Sequence, residues 1–396
     1  MTPWRIVVLL IATGVVCAFQ VGKVPGVLPM LRSDLGLTLF GASWIISMLN
    51  VIGGVAGVLM GVFADRIGYR RLIVGGMSLI TLGCLAGGLT SDVSVFFLSR
   101  FLEGIGFFFT ILSVPSLITR IAAPRHLRLI LGFWGTYMPS GITVMLLLSP
   151  VLVNRFGWRG LWFFNGLVCL IILVMIFFAT LHLPEAEKKT ISAAVNLLGN
   201  LKTILLSPGP VLLGICFFCY AGQWMALMSF LPTLFMEEVG MGEAGAALWT
   251  ALAVMVNIPG NITGGILAQR NVPRWLVLSC VFVIVAAATF GIYSPAMPLS
   301  LRILLCLCFS LVGGLIPGTL LAAVPFHAPG PAYIGAANGL LMQGSNLGTL
   351  LMAPTLAAVV GLFGGWHGAP WMFVVAGLVG VSAAAGIGWI EKAARC

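Results

Sequence analysis

The chain has 396 residues, of which 60% are hydrophobic and only 8% are charged. Because an ordinary soluble domain carries roughly a quarter charged residues, this composition excludes a water-soluble globular protein and indicates an integral membrane protein. The formal net charge is +10, yet the basic residues are scattered in short segments and do not gather beside aromatic residues. Nucleic acid is therefore not an expected partner.

Apolar segments long enough to cross a bilayer recur from one end of the chain to the other. About 30 Å of hydrocarbon requires about 20 helical residues, since each residue rises about 1.5 Å. The first apolar stretch, residues 6–31, is longer than a signal-peptide core and lacks a convincing cleavage site, so we expect a retained helix. The predicted helices are residues 5–31, 41–64, 71–90, 94–118, 128–152, 159–182, 210–236, 243–268, 274–294, 299–323, 332–360 and 369–391.

The distribution of Lys and Arg predicts how the chain is oriented in the membrane. If both termini are cytoplasmic, fourteen basic residues fall on the cytoplasmic side and only four, Arg32, Arg155, Arg159 and Arg302, fall outside. Because basic residues favour the cytoplasmic side, we expect both termini to be cytoplasmic. The expected location is the plasma membrane, which is the inner membrane if the source is a Gram-negative bacterium.

One long polar interval, from His182 to Pro208, separates two groups of six predicted helices. We predict an N-terminal six-helix bundle over residues 1–182, a cytoplasmic linker over 183–208 and a C-terminal six-helix bundle over 209–396. The apolar spacing in residues 191–206 fits either a short helix on the inner membrane surface or a flexible loop.

Two internal repeats support this division into halves. The segment GVFADRIGYRRL from Gly61 aligns with GILAQRNVPRWL from Gly265, each after the second helix of its half. A second repeat places GWRG from Gly157 against GWHG from Gly365, at the start of the last helix of each half. Two facing bundles of this kind enclose a cleft at the middle of the membrane, where repeat-built transporters bind substrate.

The loop GVFADRIGYRR, from Gly61 to Arg71, resembles the signature of the major facilitator superfamily, and RFLEGIG, from Arg100 to Gly106, resembles that family's second motif. The resemblance implies an all-α fold of twelve transmembrane helices in two pseudo-symmetric six-helix bundles, and secondary transport by alternating access. In the family the signature loop gates the inner side, which implies a gating role for Gly61, Asp65, Arg66, Gly68 and Arg70. The fifth helix matches the antiporter motif only faintly, which weakens the case for exchange or drug efflux.

Three ionisable residues are predicted inside the hydrocarbon, where each charge costs several kcal/mol and is a functional-site candidate. They are Lys23, Arg100 and Glu103. At about 1.5 Å per residue, Lys23 lies about 12 Å below the outer surface. Its ammonium group either reaches water along its flexible stem or belongs to a binding site, and the neighbouring glycines and prolines, which loosen the helix, favour the binding site.

Arg100 and Glu103 are three residues apart and share a helix face, so they are able to pair with each other. Pairing would leave Lys23 without a counterion, because the three residues together comprise two cations and one carboxylate. This imbalance predicts an anionic substrate. Glu103 is the candidate proton carrier if transport is coupled to protons. The predicted substrate-binding residues are Lys23, Arg100, Gln20, Gln223, Asn257, Asn338 and Gln343.

The prediction is a secondary transporter that moves a small anionic organic solute, works as a monomer in the lipid bilayer and uses the proton as a possible coupling ion. One alternative is a proton-driven exporter of a drug-like or siderophore-like metabolite, supported by phenylalanines such as Phe107 and Phe217. A membrane receptor that binds a solute without moving it is another. No Ser-His pair or metal-ligand set is expected at membrane depth, so we predict no enzyme, no cofactor and no metal. Cys216 and Cys219 form a C-x-x-C motif without the further ligands that zinc requires.

Overall fold

The structure is a computed structural model that describes residues 2–57, 67–182, 197–270, 272–330 and 333–393. Over these residues all regular secondary structure is helical, which confirms the predicted all-α class. Eleven apolar helical runs are long enough to cross a membrane, and the longest, Pro124–Ala179, has 56 residues. At about 1.5 Å per residue, 56 residues would extend about 84 Å, more than twice the thickness of the hydrocarbon.

Gly157 divides this long run into two helices. Its φ of 67° and ψ of 179° are not helical, and this positive φ suits glycine because a residue with a Cβ atom is strained against its own backbone there. The sequence repeat beginning at Gly157 therefore marks the reversal that was predicted between residues 152 and 159. With this division the described ranges contain twelve apolar segments, while the number of membrane crossings and the cytoplasmic position of both termini stay predictions.

We number the twelve segments α1 to α12. They are α1 (Trp4–Asp34), α2 (Leu39–Gly57), α3 (Tyr69–Leu89), α4 (Val93–Ile121), α5 (124–156), α6 (158–179), α7 (Pro208–Val239), α8 (Glu243–Gln269), α9 (Arg274–Ile292), α10 (Leu299–His327), α11 (Ile334–Phe363) and α12 (Trp366–Ala393). A further helix, Leu197–Leu206, lies inside the predicted linker, and we call it the linker helix. Residues 183–196 of that linker lie outside the described residues, and the division into two domains stays a prediction.

Close contacts between backbones hold each group of six helices together. In the first six, α3 packs against α4 and α6, and α1 packs against α5; in the last six, α7 packs against α11 and α12. Glycine makes these approaches possible, because a Cβ atom on Gly106 would lie 2.3 Å from the carbonyl oxygen of Gly76. Small residues at helix interfaces are the usual means of packing helices in lipid, where the hydrophobic effect does not drive them together.

The two groups of six helices meet mainly along two helix pairs, α2 with α11 and α5 with α8, and the 3-10 turn of α1 also contacts α7. Gln343 of α11 donates a hydrogen bond to the carbonyl oxygen of Gly54 in α2 at 2.9 Å. Thr143 of α5 donates to the carbonyl oxygen of Ala251 in α8 at 3.4 Å. Because α2 and α8 are second helices and α5 and α11 are fifth helices of their halves, the interface follows the pseudo-symmetry of the sequence repeats.

Breaks in α1 and α2 position the candidate site. The α-helical part of α1 ends at Gly22, a 3-10 turn follows over Pro25–Val27, and a short helix, Leu28–Asp34, completes the segment. In α2 a 3-10 turn over Met48–Asn50 interrupts the helix. The break in α1 occurs where glycine and proline loosen the sequence, because proline lacks a backbone N–H and cannot continue the hydrogen-bond ladder.

Candidate functional site

A buried carboxylate holds two buried cations at the centre of the first six helices. Glu103 Oε1 accepts a hydrogen bond from Lys23 Nζ at 2.9 Å, and its Oε2 accepts from Arg100 Nη1. The exposed fractions of the three residues are 0% for Lys23, 1% for Arg100 and 0% for Glu103. We call these three residues the charge triad.

This arrangement corrects one expectation about Lys23 and excludes one of the two alternatives given for its ammonium group. The pairing of Arg100 with Glu103 occurs, but it does not leave Lys23 without a counterion, because the second carboxylate oxygen binds the ammonium group. The ammonium group also does not reach water along its stem, since Lys23 is fully buried. The triad still contains two cations and one carboxylate.

Besides Glu103, three side chains from three helices surround the Lys23 ammonium group. Gln20 Oε1 in α1 accepts a hydrogen bond from it at 2.8 Å, and the Cys84 thiol of α3 lies 3.4 Å away. The Trp162 ring of α6 has its centroid 4.4 Å from Nζ, which places the cation over the negative face of the indole. Cys169 of α6 accepts a hydrogen bond from Gln20 Nε2 at 3.4 Å. Sequence reasoning missed the two cysteines and Trp162 here, because nothing in their local pattern points to a cation.

Arg100 joins the triad to the breaks in α1 and α2. Its Nη2 donates to the carbonyl oxygen of Gln20 at 3.1 Å, and its Nε donates to the carbonyl oxygen of Ile45 at 3.1 Å. Both carbonyl groups lie within one turn of a helix break, where helical hydrogen bonding is interrupted. The planar guanidinium group satisfies two backbone acceptors and one carboxylate at once, which the single ammonium centre of lysine does less well.

The predicted substrate-binding residues of the last six helices do not join the triad. Gln223 donates to the carbonyl oxygen of Phe373 at 2.9 Å, and its Oε1 is buried without a partner. Asn338 is half-buried on α11, and Gln343, which binds Gly54, joins α11 to α2. Asn257 is buried and belongs to a separate polar cluster.

We call this separate group the amide cluster. Asn257 Nδ2 donates to the Tyr220 hydroxyl at 2.9 Å and to the carbonyl oxygen of Ser310 at 2.8 Å. Asn257 Oδ1 accepts from Asn261 Nδ2 at 2.9 Å, and Trp224 Nε1 donates to the Ser310 hydroxyl at 3.0 Å. The cluster links α7, α8 and α10 and contains no ionised side chain. Tyr220 and Ser310 were missed in the sequence because a single hydroxyl in an apolar run is ordinary.

The predicted gating residues are only partly described. Gly61, Asp65 and Arg66 lie outside the described residues. Gly68 has a φ of 94° just before α3 begins, a conformation that favours glycine. Arg70 donates to the Thr180 hydroxyl at 3.1 Å and lies over the Phe177 ring, so it ties the start of α3 to the end of α6.

No group of three or more His, Cys, Asp or Glu side chains that would hold a metal occurs among the described residues. Cys216 and Cys219 are buried free thiols in α7. The absence of a metal site stays a prediction for the chain as a whole.

A family model described as Major Facilitator Superfamily matches residues 9–351. The chain belongs to the Major Facilitator Superfamily. As a member of this superfamily the protein is an integral membrane transporter of small solutes and not an enzyme, and its location is the plasma membrane. The family resemblance found in the sequence motifs is thereby confirmed.

Three relatives within this wider group illustrate its range. The chain is 23% identical over 316 residues to a nitrite extrusion protein of Bacillus subtilis, covering 78% of this chain and 75% of the relative. It is 23% identical over 351 residues to a protein of Bacillus subtilis named as a niacin/nicotinamide transporter, covering 86% and 85%. It is 29% identical over 214 residues to a lincomycin resistance protein of Streptomyces lincolnensis, covering 53% and 42%.

A solved structure supports the fold of this superfamily member. The structure is that of a bacterial homologue of the human lysosomal transporter Spinster, in an inward-facing and unoccupied conformation. The TM-score is 0.80 at 14% sequence identity, with 99% of this chain and 98% of the other covered. At this identity the similarity shows the shared fold and says nothing about the substrate.

Proposed function

We propose that this transporter moves a small anionic solute across the membrane by alternating access, with the proton as coupling ion. The observation that carries the proposal is the charge triad, in which Lys23 and Arg100 share the single carboxylate of Glu103. When all three residues are ionised, two positive charges and one negative charge leave a net charge of +1 in a fully buried position. An uncompensated charge inside a membrane protein is costly, so its retention favours a functional role.

The roles follow from the chemistry of the three groups. Lys23 and Arg100 provide hydrogen-bond donors of positive charge, which suit an anion, and Gln20 holds both of them. Glu103 is the group that takes up and releases the proton. Protonation would neutralise the carboxylate that now occupies the donors, and the two cations would then attract the anionic solute.

The second half would bind the rest of the solute. We assign this role to the amide cluster around Asn257 and Tyr220, with Gln223 and Asn338 as further neutral contacts, because hydrogen-bonding groups without charge suit the non-ionic part of a solute. Alternating access would follow from relative movement of the two six-helix bundles about the contacts between α2 and α11 and between α5 and α8.

The names of two relatives support an anionic cargo. One is named for nitrite and another for niacin and nicotinamide; nitrite and niacin are anions at neutral pH, whereas nicotinamide is neutral. Both relatives are only 23% identical to this chain, so they support the class of cargo and do not identify the molecule.

An exporter of a drug-like metabolite is the second candidate. The lincomycin resistance protein among the relatives favours it, as does the pair of aromatic rings Phe217 and Tyr220, which stack with centroids 6.4 Å apart. An apolar, aromatic wall is what a large, weakly polar cargo requires. Under this alternative the charge triad would serve proton coupling alone, and neutral or cationic compounds would be transported.

Counterflow in proteoliposomes tests the proposal and separates transport from mere binding. Vesicles are preloaded with an unlabelled anion, and entry of the labelled anion is measured for the wild type, Lys23→Gln, Lys23→Glu and the control Lys202→Gln. Lys202 is exposed on the linker helix, so its variant should behave as the wild type. We expect both Lys23 variants to lose anion counterflow, with folding verified by size-exclusion chromatography and thermal unfolding.

Proton coupling is tested separately with Glu103→Gln. This variant should lose accumulation driven by a pH gradient, while exchange without a gradient persists. Anion transport that is unchanged in Lys23→Glu would overturn the anion proposal. Accumulation by Glu103→Gln that still follows the pH gradient would overturn the proposed proton carrier.

A further inference from the structure

Glu103 occupies the two cations in the way that a bound substrate anion would. Each of its carboxylate oxygens binds a different cation, Oε1 the Lys23 ammonium group at 2.9 Å and Oε2 the Arg100 guanidinium group. The two donors are therefore placed so that each binds one of the two oxygens of a single planar carboxylate. A planar group with two oxygens at a similar spacing fits the same donors.

The two cations are held in place by contacts that do not involve Glu103. Lys23 donates to the side chain of Gln20 at 2.8 Å and lies over the ring of Trp162. Arg100 donates to the carbonyl oxygens of Gln20 and Ile45, both at 3.1 Å. Because these contacts remain when the carboxylate leaves, the pair of donors stays preorganised for a replacement anion.

We infer that the substrate is a monoanion with a planar head group of two or more oxygens, such as a carboxylate, nitrite or nitrate, and that it replaces Glu103 between Lys23 and Arg100 while Glu103 takes up one proton. This inference rests on the proposed function and specifies its substrate class and its coupling. The proton comes from an acid in the surrounding water, whose bond to that proton breaks as the O–H bond of the Glu103 carboxyl group forms. The anion is held by ion pairs and hydrogen bonds, and nothing is oxidised or reduced.

The charge of the site supports a monoanion and a single proton. Before the exchange, two cations and one carboxylate give a net charge of +1; afterwards, two cations, a neutral Glu103 and one monoanion again give +1. The exchange therefore leaves the buried charge unchanged. A dianion would cost much more to remove from water, because the solvation energy of an ion grows with the square of its charge.

Head-group shape also contributes to selectivity. A sulfonate or phosphonate places its third oxygen out of the plane, where the described contacts of Lys23 and Arg100 offer it no donor. A buried acceptor without a donor loses the hydrogen bonds that it had in water.

The other titratable groups close to the exchange are the thiols of Cys84, 3.4 Å from Lys23 Nζ, and of Cys169, 3.4 Å from Gln20 Nε2.

The test compares three probes that share a ring and differ only in their head group, namely benzoate, benzamide and benzenesulfonate, with nitrite and nitrate as small planar anions. Binding to the purified full-length protein is measured by isothermal titration calorimetry in two buffers of different ionisation enthalpy, which reports the protons taken up. We expect benzoate to bind about tenfold or more tightly than benzenesulfonate, benzamide not to bind, and uptake of about one proton per benzoate.

Glu103→Gln provides the matched measurement. The variant should bind benzoate without proton uptake, because no carboxylate remains to be protonated. The same titration of Lys202→Gln should reproduce the wild type, including its proton uptake.

The outcomes separate this inference from the proposed function. Equal binding of benzoate and benzenesulfonate, or binding without proton uptake by the wild type, overturns the inference while leaving an anion transporter. Failure of benzoate, nitrite and nitrate to bind also overturns it. Binding of benzamide but of none of the anions overturns the proposed function itself.

Discussion

Trp158 and Trp366 each donate their indole N–H to a carboxylate at the end of the first helix of their own half. Trp158 binds Asp34 Oδ2 at 2.7 Å, and Trp366 binds Glu237 Oε2 at 3.2 Å. The two tryptophans occupy equivalent positions of the GWRG and GWHG repeats. The same hydrogen bond therefore occurs in both halves, at the positions where the sequence repeats. The repeat is broken in one respect, because Glu237 also binds Arg32 of the other half at 2.9 Å.

This asymmetry predicts that Glu237 helps to close the side of the protein that is predicted to face outward. Glu237→Gln should keep the bond from Trp366 but lose the ion pair with Arg32, and the outward-open population should rise. The pair is partly exposed, at 28% and 42% of the side chains, so we expect an effect of at most about 1 kcal/mol, or about fivefold in population. Distances between spin labels on the two halves would measure the shift.

Asp34→Asn is the matched control for this prediction. It also keeps an indole contact, but the ion pair that it weakens, with Arg159 at 3.7 Å, lies within one half. The conformational balance should therefore not change in Asp34→Asn. An equal shift in both variants would show that the bridge between the halves is not responsible.

Replacement of Arg100 by lysine should be more damaging than conservation of charge suggests. An ammonium group does not have the fork of donors that reaches Glu103 and the carbonyl oxygens of Gln20 and Ile45 together. We expect Arg100→Lys to lose about 1–3 kcal/mol of stability and most transport activity. Thermal unfolding and proteoliposome uptake measure the two effects, and Arg159→Lys at the exposed end of α6 is the control. Wild-type transport by Arg100→Lys would contradict the assigned contacts.

Gln20 and Gln343 were both predicted to bind substrate, and their contacts now predict different phenotypes. Gln20 holds Lys23, so Gln20→Leu should raise the KM for an anionic substrate by displacing the ammonium group. Gln343 donates to the carbonyl oxygen of Gly54 across the halves, so Gln343→Leu should change the conformational balance with less effect on KM. The concentration dependence of counterflow gives the KM, and distances between spin labels on the two halves give the conformational balance. Together the two measurements distinguish the variants. A larger KM effect for Gln343→Leu would reverse the assignment.

The tight packing of α3 on α4 predicts a strong difference between two adjacent glycines. A Cβ atom on Gly76 would lie 2.5 Å from the Thr110 hydroxyl and 2.6 Å from the carbonyl oxygen of Gly106, whereas one on Gly75 would have no atom within 4 Å. Gly76→Ala should therefore destabilise the protein by about 1–3 kcal/mol. Gly75→Ala should be neutral or slightly stabilising, because alanine favours the helix. Thermal unfolding of the two variants in detergent or nanodiscs measures the difference. Equal stability of the two variants would contradict the close contact of Gly76 with α4.

The positions of the apolar segments and of the three residues of the charge triad were readable in the sequence. These features depend on local quantities, namely the length of an apolar run, the spacing of basic residues and the cost of a charge in hydrocarbon. The pairing of Arg100 with Glu103 was also accessible, because residues three apart share a helix face. The boundary between α5 and α6 at Gly157 was also predictable, because it depends on the length of an apolar run, which is a local quantity.

Only the tertiary structure decided which residues meet across helices. Lys23 reaches Glu103 from 80 positions away, and Gln343 reaches Gly54 from 289 positions away. Both contacts depend on the rotation of each helix about its axis and on the depth at which it packs. The sequence leaves these variables open, because apolar residues cover almost every face of a helix in lipid, and packing against neighbouring helices then selects the face that turns inward.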